Sequence, residues 1–520
     1  MAGHEHFDVV IVGSGFAGTI LARALHRRGL KVLLVERGRH PRFAIGESTT
    51  PLANFALERL ARDYELPDLH QLSTHGRWRR AQPQLRCGLK RGFTFLRHQH
   101  GKPYTWHADS RLMVAASPDD ELADTHWLRS DVDHFLVQRA VAEGVDTRDR
   151  TELTRAVFTA DGVELESRGA DPSQRSKRQH FTADAVVDGS GAGGFLASVL
   201  DLEDRSDLIP IRSGLLFAHF EGVQPLEAVA ELGPSPYPYE RAAVHHLIDE
   251  GWMYALPFDH GVVSAGIVLN ADAEGNAPKD PQRDPAAAWQ QVIDRYPTLA
   301  AQFAPATAPA GVHYLPRIQH RWARAAGPRW FLLPHSYAFY DPMFSTGIGW
   351  SLLAVERLAA LLAGEQGSAE AYGRLLAAEA DQIERLIEAA YLAIPLFETF
   401  CAVTQLYFAT VSFAEVQQRL ELTAAEGPPA WSAFLGADGE RAELFEAARE
   451  KLREGAARDP ERFTRWVVEQ IAPFNIAGLG DASRQNLYPV DFDALVDGAP
   501  RLGLSRSQLQ ALLPRLRGEV

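Results

Sequence analysis

The chain has 520 residues, of which 46% are hydrophobic and 23% are charged, and its formal net charge at pH 7 is −14. This is ordinary globular composition, and the length allows two or three subdomains. The negative charge argues against nucleic acid as a partner. Two cysteines, Cys87 and Cys401, exclude a disulfide framework and suit a reducing compartment. With no signal-like segment before the first strand and no apolar run of roughly 18 residues, we expect a cytoplasmic protein without a membrane span.

The amino-terminal segment predicts a strand, a glycine turn, a helix and a second strand. Residues 7–12 form an apolar strand, helical spacing runs from about Phe16 to Arg28, and residues 31–35 form a second apolar run that ends at Glu36. A G-x-G-x-x-G motif between the first strand and the helix is the fingerprint of a dinucleotide-binding βαβ unit. The alternative is a glycine-rich turn that holds no ligand.

Each glycine of this turn has a structural purpose in a dinucleotide site. Gly13 permits the tight turn, Gly15 lets the backbone approach a pyrophosphate at the helix N-terminus, and Gly18 lets the helix pack closely on the sheet. Glu36 follows Gly18 by 18 residues, where a carboxylate is expected to accept the adenosine ribose hydroxyls. The predicted cofactor-binding residues of this segment are Gly13, Ser14, Gly15, Phe16, Ala17, Gly18, Glu36 and Arg37.

Two later segments place polar residues in unusual settings. Gly46-Glu47-Ser48 precedes Pro51, which begins a predicted helix. The Ser and Thr residues in this segment either belong to a functional site or cap the helix. Lys90 lies in the run CGLKRGFTF, between Leu89 and Phe93. Because lysines are normally solvated, a lysine in an apolar, strand-like setting is a candidate for chemistry.

The middle of the chain adds a helix and a second glycine loop. Arg129 heads a predicted helix to Glu143, and Asp133 is either part of a ligand-site motif with Arg129 or an exposed helix acid. Residues 189–194 follow another strand with the spacing G-x-G-x-x-G. No acid ends a following strand about 20 residues later, so we interpret this loop as a return to the first dinucleotide domain. We therefore expect no separate nicotinamide site.

Residues 214–269 predict a β-rich region, because alternating apolar segments are separated by turn residues. It contains the run GWMYALPF at 251–258, whose aromatic residues are more often core packing than chemistry. His245 and His246 lie in an apolar strand without other residues at ligand spacing, so no metal site is expected. Residues 97–100, RHQH, predict a solvated loop.

The last segment that indicates a ligand site lies near residue 340. Residues 330–333 predict a strand that leads to Asp341, and Ser345-Thr346-Gly347 opens a helix that continues to about Leu362. The N-terminus of such a helix presents unpaired N–H groups and a positive dipole end to an anion. Helical spacing predominates after residue 368.

These segments together resemble the tryptophan-halogenase-like, flavin-dependent halogenases within the FAD-dependent aromatic monooxygenase superfamily. The run 251–258 resembles the W-x-W-x-I-P signature, with Tyr254 in place of the second Trp, and residues 46–51 resemble G-E-[SA]-x-x-P. Lys90 stands in a K-x-x-x-x-F setting that is similar to that of the active-site lysine of these enzymes. The resemblance covers ordered motifs over residues 7–365 and only helical character beyond them.

The resemblance implies a role for each motif. Lys90 would be catalytic, and the backbone N–H groups of Thr346 and Gly347 would bind the halide. Pro334-His335 replaces the Gly-Asp of many relatives, and Phe344 replaces the glutamate that tryptophan halogenases pair with the lysine. The second departure favours a phenol- or pyrrole-like substrate over free tryptophan. The further flavin contacts implied are Gly46, Glu47, Ser48, Arg129, Asp341 and Ile348.

The implied function is an FADH2-dependent halogenase of secondary metabolism. Reduced FAD from a separate flavin reductase would react with oxygen to give a flavin hydroperoxide, which oxidises chloride or bromide to hypohalous acid, and Lys90 would orient this electrophile. The acceptor would be an electron-rich aromatic molecule, free or tethered to a carrier protein. Two alternatives stay open: a flavin-dependent monooxygenase or oxidoreductase acting on an aromatic or polyene substrate, and a flavin-binding protein that is chemically idle.

The expected fold class is α/β, with a Rossmann-like FAD-binding domain, an inserted β-rich substrate domain and a helical C-terminal region. Residues 1–210 would form the first part of the FAD-binding domain and residues 211–325 the substrate domain. Residues 326–366 would return to the FAD-binding domain, and residues 367–520 would be helical.

Overall fold

A computed structural model of the protein describes residues 5–516, apart from 172, 174, 176–177, 274–276, 425–430, 438 and 440. β-Branched, aromatic and other apolar residues dominate its central strands, as the buried runs VLLV and GWMYALP show. The strands are β1 (Glu5–Val12), β2 (Val32–Val35), β3 (Cys87–Lys90), β4 (Gly92–Arg97), β5 (Arg111–Ala115), β6 (Asp124–Trp127), β7 (Asp146–Arg148), β8 (Thr151–Phe158), β9 (Val163–Gly169), β10 (Arg178–Asp188), β11 (Ser213–Glu221), β12 (Ala243–Ile248), β13 (Gly251–Pro257), β14 (Val262–Asn270), β15 (His313–Leu315), β16 (His320–Arg321), β17 (Ala326–Gly327), β18 (Trp330–Leu332), β19 (Ala338–Phe339) and β20 (Leu487–Tyr488).

The helices concentrate in the second half of the chain. None of those in the described part is long and apolar enough to cross a bilayer. The helices are α1 (Phe16–Arg27), α2 (Pro51–Asp63), α3 (Pro67–Gln71), α4 (His75–Ala81), α5 (Arg129–Ala142), α6 (Phe195–Val199), α7 (Leu226–Val229), α8 (Pro285–Ile293), α9 (Pro297–Phe303), α10 (Pro334–Tyr337), α11 (Thr346–Leu362), α12 (Ala369–Ala393), α13 (Phe397–Ala424), α14 (Ala442–Arg453), α15 (Pro460–Ile471), α16 (Phe492–Asp497) and α17 (Arg506–Leu516).

One sheet carries the predicted dinucleotide unit. Its strand order is β17-β18-β10-β1-β2-β7, and the hairpin β8–β9 joins it through β10. β1 lies parallel to both β2 and β10, so that Val12 is opposite Val35 on one side and Asp188 on the other. The carboxyl ends of these strands therefore meet at one edge, which is where open α/β sheets bind their ligands.

The second sheet forms a wall beside this edge. Its order is β15-β11-β14-β13-β12-β4-β5-β20. Strands β11 to β15 come from the predicted substrate segment, whereas β4 and β5 precede it and β20 comes from the carboxy-terminal region. The sheet is thus assembled from three separate stretches of chain, and the domain boundaries expected from the sequence stay predictions.

Two glycines bring the strand ends and α1 into close contact. Gly13 has φ +96°, and a Cβ atom there would lie 2.5 Å from the carbonyl oxygen of Gly189. A Cβ atom at Gly18 would lie 2.2 Å from the carbonyl oxygen of Gly13. Only glycine fits at these positions, as the sequence predicted for the turn and the helix packing.

A buried ion pair fixes α11 to the carboxy-terminal helices. Nη1 and Nη2 of Arg357 donate to Glu379, at 2.9 and 2.6 Å, and neither side chain is more than 3% exposed. The Trp350 indole and the backbone N–H of Phe434 also donate to this carboxylate, at 2.8 and 2.7 Å. Glu379 on α12 therefore accepts hydrogen bonds from α11 and from the segment at Phe434. The N-terminus of α11 is the predicted halide site.

We expect Glu379→Ala to lower the free energy of unfolding by about 3–5 kcal/mol, because it leaves the Arg357 charge buried without its partner. Chemical denaturation monitored by tryptophan fluorescence measures the change. Glu370→Ala is the control: Glu370 pairs with Arg374 on an exposed face of α12, so its loss is worth at most about 0.5 kcal/mol. Equal effects of the two substitutions would contradict a structural role for the buried pair.

The predicted α/β class, with its dinucleotide unit and helical carboxy-terminal region, is confirmed, whereas the solvated loop predicted for residues 97–100 is wrong in part. His98 is buried and shares a 2.9 Å hydrogen bond with His246. Its backbone N–H donates to Leu247, which extends the pairing of β4 with β12 by one residue. The long-range pairing of the two strands covers a segment whose polar composition alone indicated exposure.

Candidate functional site

A cavity of about 450 Å³ opens at the carboxyl edge of the first sheet, between the glycine turn, the start of α11 and strand β13 of the second sheet. Its lining brings together most of the site residues predicted from the sequence. These are Gly15, Phe16, Ala17, Gly18, Gly46, Glu47, Ser48, Arg129, Asp341, Thr346, Gly347 and Ile348.

The other predicted cofactor residues lie behind or outside this lining. Gly13 shapes the turn, and Ser14 donates to the Glu36 carboxylate through its N–H at 3.1 Å and its hydroxyl at 3.0 Å. Burial opposes the charge on Glu36, but Arg42 and these donors hold the pKa of Glu36 below its usual value. Glu36 is thus an ionised acceptor at the end of β2, while Arg37 is exposed.

Two arginines frame the glycine turn. A Cβ atom at Gly15 would lie 3.6 Å from Nη2 of Arg129 and 3.9 Å from Nη2 of Arg42. Arg129 is held by Asp133, at 3.0 and 2.9 Å, and donates to the carbonyls of residues 45 and 46. Nε of Arg42 is buried and has no hydrogen-bond partner in the described part of the chain. The turn and the two guanidiniums fit the pyrophosphate of a dinucleotide.

Asp133 is fully buried, so the alternative of an exposed helix acid is wrong. The sequence did not single out Arg42, which lies in a basic loop where any of several arginines could have faced the cavity.

The second glycine loop lines the same cavity as the first. Gly189, Ser190, Gly191 and Ala192 lie on its wall. Asp188, at the end of β10, accepts the N–H groups of Ser190 and of a residue in α6, at 2.8 and 2.7 Å. The loop therefore faces the ligand of the first glycine turn, which supports its interpretation as a return loop.

The N-terminus of α11 presents free donors to the cavity. Ser345 adopts a left-handed conformation with φ +52°, and the N–H groups of Thr346 and Gly347 have no protein acceptor among the described residues. The His335 imidazole covers this end of the helix: a Cβ atom at Gly347 would lie 2.7 Å from its Nε2. Nδ1 of His335 is 3.0 Å from the Ser351 hydroxyl. Burial lowers the pKa of His335 to about 4, so the ring is neutral at pH 7.

Asp341 lies at the floor of the cavity. Its carboxyl group accepts the Tyr391 hydroxyl at 2.6 Å and the backbone N–H of Met343 at 2.9 Å. Burial raises the pKa of Asp341 to about 7. The structure brings this predicted flavin contact to the cavity with both of its oxygens already hydrogen-bonded to the protein.

The run 251–258 supplies one wall of the cavity through Trp252, Tyr254 and Leu256. Trp252 stacks on His245 at a ring separation of 5.3 Å, and His245 stacks on Phe95 at 4.6 Å. Phe93 lies behind both, 5.8 Å from His245 and 6.2 Å from Phe95. We call Trp252, His245, Phe95 and Phe93 the aromatic wall.

Lys90 lies on the far side of the aromatic wall and does not line the cavity. Its ammonium group is 3.9 Å from the centre of the Phe93 ring and donates to the carbonyl oxygen of Thr49 at 2.5 Å. The side chain has no exposed surface, and this burial lowers the pKa of Lys90 to about 7, although the charge of Asp124 acts in the opposite direction. A lysine in this state exchanges its proton near neutral pH.

A second, smaller cavity of about 150 Å³ lies on the Lys90 side of the aromatic wall. Phe93, Tyr407, Phe408 and Phe434 contribute aromatic surface to it, and Glu415 is an acid on its lining. Phe93 lines the smaller cavity and His245 and Trp252 line the larger one, so the aromatic wall lies between them. Lys90 lines neither cavity and contacts the wall through Phe93.

Two groups of side chains have donor atoms close enough to share a metal ion among the described residues. In the first, Asp259 already pairs with His75 at 3.1 Å and with Arg79 at 3.9 Å, and burial raises the pKa of the Cys87 thiol. A protonated thiol and a neighbouring guanidinium both oppose a cation. The second group, His6, Asp8 and Asp184, lies at the surface. Neither group borders the cavities described above.

The chain is similar to known flavoenzymes over most of its length. It is 26% identical over 364 residues to the monodechloroaminopyrrolnitrin halogenase PrnC of Pseudomonas fluorescens, covering 69% of this chain and 62% of that protein. It is 29% identical over 393 residues to the tetracycline 7-halogenase of Kitasatospora aureofaciens, covering 70% and 68%. The chain thus spans less than two thirds of the length of the first of these relatives.

The fold has close counterparts among solved structures. A single-residue mutant of the halogenase PltM in complex with FAD superimposes with a TM-score of 0.82 at 23% identity, covering 92% of this chain and 99% of that one. The flavin-dependent brominase Bmp2 superimposes with a TM-score of 0.62 at 20% identity. The resemblance to flavin-dependent halogenases that the motifs indicated is confirmed by these relatives.

The family described as FAD dependent oxidoreductase matches residues 8–327, more than half of the chain. This range contains both glycine loops, Glu36, Arg129 and the aromatic wall. The chain therefore belongs to the FAD-dependent oxidoreductases.

Proposed function

We propose that the protein is an FADH2-dependent halogenase that places chloride or bromide on an electron-rich, phenol- or pyrrole-like ring. The observation that carries the proposal is Lys90, a fully buried lysine with a near-neutral pKa, separated from the cofactor cavity by an aromatic wall. Burying a lysine is costly, so its presence here points to a use in the reaction. The names of the relatives support the same reading.

The cavity residues fit FAD. The glycine turn with Arg42 and Arg129 suits the pyrophosphate, Glu36 suits the ribose, and the start of α11 suits the flavin end. When bound, reduced FAD would reduce oxygen to the peroxide level, which is the oxidant that the halide needs. We infer that a separate reductase provides reduced FAD. Because Cys87 and Cys401 are buried and unpaired, we place the reaction in the reducing cytoplasm.

The halide site we propose is the N-terminus of α11. Thr346 and Gly347 line the cavity with N–H groups that have no acceptor among the described residues, and the positive end of the helix dipole lies behind them. His335 borders this position as a neutral ring, so it adds no competing charge. The helix end therefore offers a halide two donors and a favourable field.

Lys90 would act after the halide is oxidised. The overall reaction is R–H + X⁻ + O2 + FADH2 + H⁺ → R–X + FAD + 2 H2O, so the new bond is C–X and the ring loses a proton. Hypohalous acid is diffusible and unselective. A lysine held against Phe93 either donates a hydrogen bond to this electrophile or forms a haloamine, and in both cases it fixes the electrophile at one place.

The smaller cavity is the acceptor site in this proposal. Its lining by Phe93, Tyr407, Phe408 and Phe434 suits a flat aromatic ring. Phe344 is buried, and its ring centre is 4.6 Å from that of Tyr407. It stands where the pattern of tryptophan halogenases has a glutamate. One relative is named for bromination of a pyrrole held on a carrier protein, so the acceptor is either a free molecule or a carrier-tethered one.

The proposal is tested by product analysis. Purified protein is supplied with reduced FAD or a flavin reductase, oxygen, chloride or bromide, and a panel of phenols and pyrroles, and the products are analysed by mass spectrometry. A halogen isotope pattern on one regioisomer supports the proposal. Hydroxylated product with halide present favours the monooxygenase alternative, and no turnover on any candidate favours an idle flavoprotein.

We expect Gly347→Ala to raise the KM for halide about tenfold, because the added methyl group overlaps the His335 ring and displaces it into the halide position. Halide-dependent turnover measures this. Removing the ring in Gly347→Ala/His335→Ala should restore part of the affinity. The control is Gly349→Ala, two residues further along α11, where the new Cβ meets its nearest neighbour at an ordinary 3.5 Å. Wild-type halide affinity in Gly347→Ala would exclude the helix end as the site.

A further inference from the structure

The buried lysine has a carboxylate opposite it on the neighbouring strand. β3 pairs with β6 in antiparallel register, and Lys90 is directly opposite Asp124. Directly opposed side chains lie on the same face of a two-stranded ribbon. Both residues are at most 1% exposed. A cation and an anion are therefore enclosed together on the side of the aromatic wall that faces away from the cofactor cavity.

The Asp124 carboxylate is held from one side only. Its Oδ1 accepts the Asn54 side-chain amide at 2.7 Å, whereas its Oδ2 is buried and has no hydrogen-bond partner among the described residues. The Lys90 ammonium makes one hydrogen bond, to the Thr49 carbonyl. A buried carboxylate oxygen without a hydrogen bond lowers the stability of the fold. Such a group opposite a buried lysine therefore needs a functional explanation.

From this arrangement we infer that Asp124 is the positioning residue for Lys90: its negative charge, buried opposite the ammonium, favours the protonated amine and so sets the protonation state of Lys90 during halogenation. Because no hydrogen bond or ion pair joins the two groups in the described part of the chain, Asp124 acts on the amine through its charge. The inference rests on the proposed function and supplies the carboxylate that Phe344 does not.

The directions of the pKa shifts agree with this electrostatic role. Burial lowers the pKa of Lys90 and raises that of Asp124, and the charge of each group opposes the shift of the other. The other groups that act on the pair are His126 on β6, His245 on β12, and Tyr407, Glu415 and Arg419 on α13.

These neighbours do not replace Asp124. Burial lowers the pKa of His126 and His245 to about 3, so both rings are neutral at pH 7. Burial raises the pKa of Tyr407. Glu415 accepts a hydrogen bond from Arg419 at 3.0 Å, and the two charges largely offset each other at the position of Asp124. Asp124 is the group in the described part of the chain whose negative charge supports the Lys90 ammonium.

The test is a titration of Lys90 in the holoenzyme. The chain has six lysines, at 31, 90, 102, 177, 279 and 451, so ¹³Cε-lysine labelling gives few NMR signals, and Lys90→Met assigns the one of interest. In Asp124→Asn the ammonium loses its counter-charge, and we expect the Lys90 midpoint to move down by about one pH unit or more. The limb of the halogenation pH profile that reports Lys90 should move down with it.

Two variants keep the result unambiguous. Asn54→Ala removes the donor that lowers the Asp124 pKa, so it should shift the Lys90 midpoint in the same direction by less, even if Asp124→Asn does not fold. Asp131→Asn removes an outer carboxylate paired with Arg86 and should change nothing. A Lys90 midpoint that is the same in wild type, Asp124→Asn and Asn54→Ala overturns the inference. The titration uses neither halide nor acceptor. Its result therefore tests the role of Asp124 separately from the proposed function.

Discussion

Lys90→Ala should reduce the halogenated product by about 10²–10⁴-fold while leaving FAD binding and flavin reoxidation close to wild type. The lysine lies beyond the aromatic wall and does not line the cofactor cavity, so its loss removes no contact to the cofactor. In the proposed mechanism the halide is oxidised before the lysine acts, so hypohalous acid should still form and leak. Product analysis by mass spectrometry and a scavenger dye for hypohalous acid measure the two quantities in one reaction.

The control for this substitution is Lys102→Ala. Lys102 is exposed and bonded to Gln99 at 3.0 Å, so its removal should alter neither quantity. Full regioselective halogenation by Lys90→Ala would show that the buried lysine is a packing residue. If Lys90→Ala forms neither the product nor hypohalous acid that the dye can trap, the lysine acts before the halide is oxidised.

The local parts of the fold could be predicted because short-range rules decide them. The strand, glycine turn and helix near the amino terminus follow from apolar runs and from three glycines, and β1, α1 and β2 begin and end within two residues of the predicted limits. The helix predicted to open at Ser345-Thr346-Gly347 begins at Thr346 and ends at Leu362, as its cap and apolar spacing indicated.

The parts of the site that sequence reasoning missed depend on contacts between distant segments. Asp124 reads as one more acid in a polar stretch, and only the pairing of β3 with β6 brings it opposite Lys90. Arg42 is one of several arginines in its loop, and only the fold turns it toward Gly15. His335 was noted as a departure from the family pattern, but its position over Gly347 depends on how α10 meets α11. No periodicity or propensity encodes these distances.

The separation of the two cavities also follows from long-range pairing, here of β4 with β12. Phe95 on β4 and His245 on β12 are opposite each other in a parallel register, which builds the aromatic wall from two segments about 150 residues apart in sequence. In the proposed function the wall separates the cofactor from the acceptor, and Lys90 contacts the wall through Phe93. The FAD fold would thereby gain a second compartment in which the electrophile is received and directed.

Gly15→Val should abolish FAD retention, weakening binding by about 100-fold or more, because its side chain fills the space between Arg129 and Arg42 where the pyrophosphate fits. The nearest guanidinium nitrogens are 3.6 and 3.9 Å from the new Cβ, so the apoprotein should fold normally and the loss should be specific to the ligand. Flavin absorbance after purification and fluorescence titration with FAD measure it. Gly439→Val, where no other described part of the chain lies within 4 Å of the added Cβ, should bind FAD as wild type does. FAD bound with wild-type affinity in Gly15→Val would show that the cofactor does not use this turn, and the assignment of the cavity would fail with it.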